Sequence, residues 1–298
     1  MNTIQQVDHY TLEKLLGKGM YGEVHLCKDD RNNEARVAKL ILKEHNGIRD
    51  KSWAHETLAL NAVAGVNGVP RMFATGSTDY HNWIVMDLLS DDLEVIICRN
   101  ENKKFAKATG YQILWQVVKI LKDIHSKGIV HGDIKPNNLM VSHSSNMFQL
   151  VLVDFGCARR FKDVNGNRTP PAPYPSNCIK GLHIPPHSAL GMPHMEAEDI
   201  MQVAYLSCLL RQYAPWKDDD EFKMTRKKMS LALNPEKFLE EHQDLLPVIK
   251  LLAAQKHYAE PDYIAILDLL QQMLHSSGGG LANGSLNATV VARAIHLP

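Results

Sequence analysis

Only five cysteines occur in the 298 residues (Cys27, Cys98, Cys157, Cys178 and Cys208), and no two form a CxxC pair. Scattered and odd in number, they argue against a disulfide framework or a zinc site and fit a reducing compartment. The opening "MNTIQQVDHY" has neither a basic stretch nor an apolar one, so no secretory signal is expected. No apolar run approaches the roughly 20 residues that a membrane span needs. Formal net charge is +0, which excludes a global electrostatic pull toward nucleic acid or membrane. No repeat at solenoid periods is present. The expectation is therefore a cytoplasmic or nuclear protein with no membrane or nucleic-acid partner. The sequons at Asn283 and Asn287 read as chance matches.

What is present is ordinary for a globular chain: 45% apolar and 22% charged residues, and length enough for a substantial core. The first part reads as short strands, in "EVHLCK", "ARVAKLIL" and "NWIVMDLL". Between them "KSWAHETLALNAV" has helical composition, with Asp50 or Ser52 as its cap. From about residue 92 the pattern turns helical. Leu114, Val117, Leu121 and Ile124 fall on one helical face, with Thr109 and Gln112 as a capping box and Gly128 at the C-terminal end. Two β-like runs, "NNLMV" and "LVLVDFG", come next, then a proline-dense loop, then helices to about Leu274. The tail opens as a flexible linker. A β-rich part joined by one linker to a helical part places a cleft at the junction.

Five elements in this order carry chemistry. In "GKGMYGEV", Gly17, Gly19 and Gly22 let a strand–turn–strand backbone approach phosphate oxygens closely. Lys39, inside an apolar strand, needs an anionic partner, and Glu56 in the following helix is the candidate. In "HGDIKPNN", Asp133 is placed to deprotonate an acceptor hydroxyl and Lys135 to neutralise charge on a transferring phosphate. Asn138 and the Asp154 of "DFG" offer the hard oxygen ligands that magnesium prefers. Each element alone is commonplace as a hairpin, an edge lysine or a turn. Their joint order is not.

That order matches the signature set of protein kinases. More narrowly, the chain resembles the casein kinase I group of Ser/Thr protein kinases. The likeness runs through "GVNGVPRMFATGSTDYHNWIVMDLLSDDLE", then "PW" at Pro215, "KKMS" at Lys227 and "PDY" at Pro261, covering roughly residues 9 to 274. The resemblance implies an α+β bilobal kinase fold with a small β-rich N-lobe (1–86), a hinge (87–90), a large, mainly helical C-lobe (91–276) and a flexible tail (277–298), together one kinase domain. It implies ATP and Mg2+ as cofactors and a protein substrate with a Ser or Thr hydroxyl. Leu16, Gly17, Lys18, Gly19, Gly22 and Val24 would close over the nucleotide. Val24 and Ala38 would roof the adenine, with Met140 beneath it. Met86 would be the gatekeeper, and Asp87 and Leu89 would offer hinge backbone. Lys39, paired with Glu56, would hold the α- and β-phosphates. Asp199 would brace the catalytic loop.

Two departures stand out. Gly132 replaces the usual Arg, a change shared with vaccinia-related kinases and with aminoglycoside-type small-molecule kinases. Lys135 and the intact "DFG" favour a protein substrate all the same. Without a side chain, Gly132 cannot receive a phosphorylated loop residue, so activity without activation-segment phosphorylation is expected. The family's basic residues after "DFG" are not matched at Leu182 or at Met195 to Ala197. Arg159, Arg160, Lys162, Arg168 and Lys180 offer an alternative basic patch. A pseudokinase scaffold and a small-molecule phosphotransferase are the competing readings.

Overall fold

The computed structural model describes residues 5–19, 22–45, 48–144, 147–163, 165–169, 181–217, 220–281, 285–291 and 294–298. Its first part is built from β1 (Gln6–Val7), β2 (Tyr10–Gly19), β3 (Gly22–Asp29), β4 (Ala35–Leu42), β5 (Glu44–His45), β6 (Ile48–Arg49), α1 (Ser52–Ala62), β7 (Met72–Ser77) and β8 (His81–Asp87). Six of these strands form one antiparallel sheet in the order β1-β2-β3-β4-β8-β7. The three expected strands are its centre. β2 is the first strand of the expected glycine-rich strand–turn–strand, mostly exposed and without apolar alternation; β7 was not expected, and backbone pairing with β8 recruits it.

Strand parity sorts this sheet into two faces. Ala38 and Leu40 point into a small core with Tyr10, Cys27, Trp83 and Val85. Lys39 lies directly across from Val24 on β3 and Ile84 on β8, and Val37 across from Met86. Val37, Lys39 and Ile41 therefore share the opposite face, where Ile41 packs with Ala59, Leu60 and Val63 in the main core. This bears on one expectation: Ala38, expected with Val24 over the nucleotide base, is turned away from the Lys39 face, and Val37, two residues before the lysine, lies on that face instead. A one-residue shift along a strand moves a side chain to the other side of the sheet.

α1 begins at Ser52 with Lys51 at its N-cap and no side-chain cap, so neither expected cap residue holds that position; Asp50, one residue earlier, accepts the Ser52 N–H at 2.6 Å instead. The second part contains α2 (Leu93–Arg99), α3 (Lys107–Ser126), β9 (Ile129–Val130), β10 (Leu139–Ser144), β11 (Met147–Leu152), β12 (Arg159–Arg160), α4 (Pro186–Ala189), α5 (Glu196–Leu209), α6 (Glu221–Leu233), α7 (Leu246–Ala253) and α8 (Tyr263–Ser276). Leu114, Val117, Leu121 and Ile124 are all buried against α5 and α8 in the main core, as their spacing requires. That core also takes in Ile84 and the α1 residues, so one continuous apolar mass seats α1 on the helical lobe.

Two expectations about the helical lobe are revised. α3 starts two residues before Thr109, which lies buried within it, so Thr109 and Gln112 form no capping box. Gln112 instead donates to the Ser285 carbonyl at 2.5 Å and accepts the Asn287 N–H at 3.1 Å. The described part of the tail is therefore no free linker. β13 (Thr289–Val291) pairs with β14 (Ala294–His296), and Leu286, Ile295 and Leu297 are buried in the main core. Those apolar side chains, with the Gln112 bonds, offset the cost of ordering the segment.

Candidate active site

The site assembles where the Lys39 face of the sheet meets the catalytic loop. Lys39 donates to both Glu56 oxygens, at 3.0 and 2.7 Å, and to Asp154 Oδ1 at 2.7 Å. Glu56 is 1% exposed, so its charge has no solvent to fall back on. Burial pulls the Lys39 pKa down, but Asp154 and Glu56 outweigh it and raise the value above its ordinary level, keeping the ammonium charged. Burial pushes the Glu56 carboxyl up, with Lys39 opposing. Asp154 has φ +64°, a left-handed backbone in a residue type that tolerates it. Phe155 beside it is fully buried, edge-on to His131 at 4.8 Å.

The catalytic loop is held from inside the large lobe. Asp199 on α5 is 0% exposed and accepts the N–H groups of His131 (2.7 Å) and Gly132 (2.8 Å). The rings of His125 and His194 sit at 2.8 Å from its two oxygens. Burial pushes the Asp199 carboxyl up, but both imidazoles overcome this and hold it well below the usual carboxylate range. One turn further along α5, Gln202 accepts the Ile134 N–H at 2.9 Å and donates to the Gly132 carbonyl at 2.8 Å. The bracing role expected of Asp199 thus matches its geometry, and His125, His194 and Gln202 share it. Gly132 has φ +84°, where a side chain would be strained, so glycine suits this backbone on its own account. His131 donates from Nε2 to the Val153 carbonyl (3.1 Å) and accepts the Asp133 N–H at Nδ1 (3.2 Å). Those two bonds define a neutral ring, and burial lowers its pKa accordingly.

Asp133 is the centre of the loop. Its Oδ2 accepts Lys135 Nζ at 2.8 Å and Asn138 Nδ2 at 2.7 Å, and its Oδ1 lies 2.6 Å from His183 Nε2. Burial pushes this carboxyl up, but the His183 hydrogen bond and the neighbouring Lys135 charge hold it well below the usual range. Asp133 is therefore ionised at neutral pH. His183 is a partner that motif reading missed, because it lies 50 residues away in a stretch without a recognised pattern.

Around this centre, Lys18 pairs with Glu23 across the glycine-rich hairpin at 2.9 Å. Leu16 is exposed, and Gly17 and Gly19 have open space where a side chain would stand. Met86 and Met140 are half-buried. The Asp87 N–H donates to the Arg71 carbonyl (3.2 Å), and Asp87 pairs with Arg36 across β4 and β8. Leu89 is half-buried on the segment that follows β8.

In the alternative basic patch Lys162 and Arg168 are bridged through their backbones and both lie over the Phe161 ring, and Arg160 is exposed. Arg159 is buried, Arg168 pairs with Glu196, Lys162 stacks on Phe161, and Lys180 lies outside the described residues. Cys157, after the DFG glycine, is disulfide-bonded. One such bond is no framework, but it removes cysteine usage as an argument for a reducing compartment. No helix among the described residues is long and apolar enough to cross a membrane.

A β-rich lobe, a helical lobe, a lysine–glutamate pair at their junction and an aspartate-centred loop below it define a phosphotransferase of the kinase type. The chain belongs to the protein kinase family: the protein kinase domain model matches residues 10–277. It is 34% identical over 161 residues to C03C10.2 of Caenorhabditis elegans, which carries a casein kinase I name; the match covers 54% of this chain and 47% of that one. It is 25% identical over 279 residues to the C. elegans Serine/threonine-protein kinase spe-6, covering 90% and 73%. A rice protein, Casein kinase 1-like protein HD16, is 26% identical over 243 residues, covering 76% and 34%. The chain thus spans about half of the first relative and a third of the last. These names bear out the resemblance to the casein kinase I group.

Proposed function

We propose that this protein is an ATP- and magnesium-dependent Ser/Thr protein kinase that needs no phosphorylation of its activation segment. One observation carries the reading: Lys39, Glu56 and Asp154 are already joined while Asp133 is ionised and oriented by the loop below. A kinase site held inactive by its conformation would have the lysine–glutamate pair apart. The intact set also disfavours a scaffold without chemistry.

In this reading Lys39 holds the nucleotide's phosphates, kept charged and aimed by Glu56. Asp133 accepts the hydrogen bond of the acceptor hydroxyl, orients its oxygen toward the γ-phosphate and takes its proton as the bond forms. Lys135 offsets the charge developing on the transferring group. Asn138 and Asp154 fit a hard cation: the Asn138 nitrogen is engaged by Asp133, leaving its oxygen as the ligand atom, and Asp154 brings a carboxylate. Magnesium bound there would neutralise phosphate charge.

Autonomy from loop phosphorylation rests on the anchoring of the segment's end. Lys228 on α6 donates to the Gly181 and Ile184 carbonyls (3.1 and 2.8 Å), and Trp216 Nε1 donates to the Leu182 carbonyl at 2.9 Å. Among the hydroxyls of the segment that phosphorylation could reach, Thr169 is described, while Tyr174 and Ser176 lie outside the described residues. The test incubates purified protein, with and without phosphatase pretreatment, with labelled ATP, magnesium, casein and a panel of amino alcohols and aminoglycosides. Label in casein, unchanged by phosphatase, is expected. Label in the small molecules alone would overturn the protein-kinase reading, and loss after phosphatase would overturn the autonomy.

A further inference from the structure

His183 stands in the middle of the proposed chemistry without belonging to any motif. Its ring is buried, 5% exposed, and its Nε2 lies 2.6 Å from Asp133 Oδ1. A carboxylate offers about four lone-pair positions. On Asp133, Lys135 and Asn138 take the two on Oδ2, and His183 takes one on Oδ1. One remains on Oδ1 for an acceptor hydroxyl. Because Asp133 is ionised, the imidazole nitrogen facing it must carry a proton, so Nε2–H donates. His183 therefore does not compete for the acceptor's proton. It fixes the rotation of the carboxylate, and with it the direction of the remaining lone pair.

The surrounding backbone is shaped to hold this ring. Gly181 has φ +136°, and a side chain there would stand 2.9 Å from His183 Cε1 and 3.0 Å from Nδ1. Contacts that close are sterically excluded, so the glycine makes room for the imidazole. The Lys228 and Trp216 bonds to the carbonyls of Gly181, Leu182 and Ile184 pin the chain on both sides of the ring. On its outer side His183 lines a cavity of about 470 Å³, together with Lys135, Asn137, Leu182 and Gln212. This hollow lies between the catalytic loop and the end of the activation segment.

We propose that His183 is a positioning residue for phosphoryl transfer, orienting the Asp133 carboxylate toward the acceptor hydroxyl. The inference rests on the protein-kinase reading above. Misplacing a reacting group by about 1 Å can cost on the order of a hundredfold in rate. The loss should fall on kcat, since His183 does not itself bind the acceptor or the nucleotide.

The test compares wild type with His183→Ala, His183→Leu and His183→Gln, measuring kcat and both KM values with casein and ATP, alongside melting temperature. Gln keeps an N–H donor near the position of Nε2; Leu fills the space without one. The expected result is a kcat about tenfold to a hundredfold lower in Ala and Leu, KM values within about threefold of wild type, and a clear recovery in Gln. Should Ala fail to fold, the order of Gln above Leu decides the matter. Equal kcat in Gln and Leu overturns the inference, as does a His183→Leu enzyme as fast as wild type, or a loss confined to the KM for casein. A wild-type protein that labels no acceptor would instead overturn the underlying kinase reading, which keeps the two failures apart.

Discussion

Replacing Lys39 with Met removes the one ammonium shared by Glu56 and Asp154, and the two carboxylates respond differently. The Asp154 side chain is 30% exposed and can be rehydrated; that of Glu56 is 1% exposed and cannot. Breaking a buried pair by removing one partner costs about 3–5 kcal/mol, against about 5–15 kcal/mol for a whole domain. Lys39→Met should therefore remain folded but lose about 1 M or more from its urea midpoint, and its transfer activity should vanish. The double variant Lys39→Met, Glu56→Gln leaves no buried charge and should recover most of that stability while staying inactive. The pH dependence has a definite sign. Burial already raises the Glu56 pKa, and losing Lys39 raises it further, so the folded variant holds a proton that the unfolded chain releases. The stability deficit should be largest at high pH and shrink as pH falls through the raised Glu56 value. Urea titrations at several pH values test this. A Lys39→Met protein as stable as wild type, or a double variant no more stable than the single one, would refute the buried-charge argument.

Asp133→Asn should lower protein phosphorylation by about 10²–10³ or more with little change in melting temperature; turnover above a tenth of wild type would remove its assignment as the base. Asp154→Asn should weaken nucleotide binding measured with magnesium far more than binding without it, and equal losses would contradict a role through the cation. Lys228 is buried without an acidic partner among the described residues, and burial lowers its pKa from 10.5 to about 7. The unfolded chain therefore binds more protons between those values, and its contribution to stability should rise with pH across that window. Lys228→Met should flatten this rise in thermal melts from pH 7 to 10, and an unchanged slope would show that the two carbonyl bonds keep the ammonium charged.

Sequence alone was enough for the order of the chemistry. Lys39, Glu56, Asp133, Asn138 and Asp154 were legible because each sits in a short word whose backbone shape and side-chain type are both specified locally. The strands β3, β4 and β8 and the apolar face of α3 were legible through their periods of 2 and 3.6. Tertiary structure decided what lies between those words. Which face of β4 looks into the cleft depends on register across three strands, and Val37 rather than Ala38 came out beside Lys39. Gln112 reads like a cap from its neighbours, yet it bonds a tail more than 170 residues away. His183 meets Asp133 only because Lys228 and Trp216 hold the intervening chain end in place. A local pattern records the conformation of its own backbone. A contact between distant segments is set by how the core packs, and no single stretch of sequence carries that information.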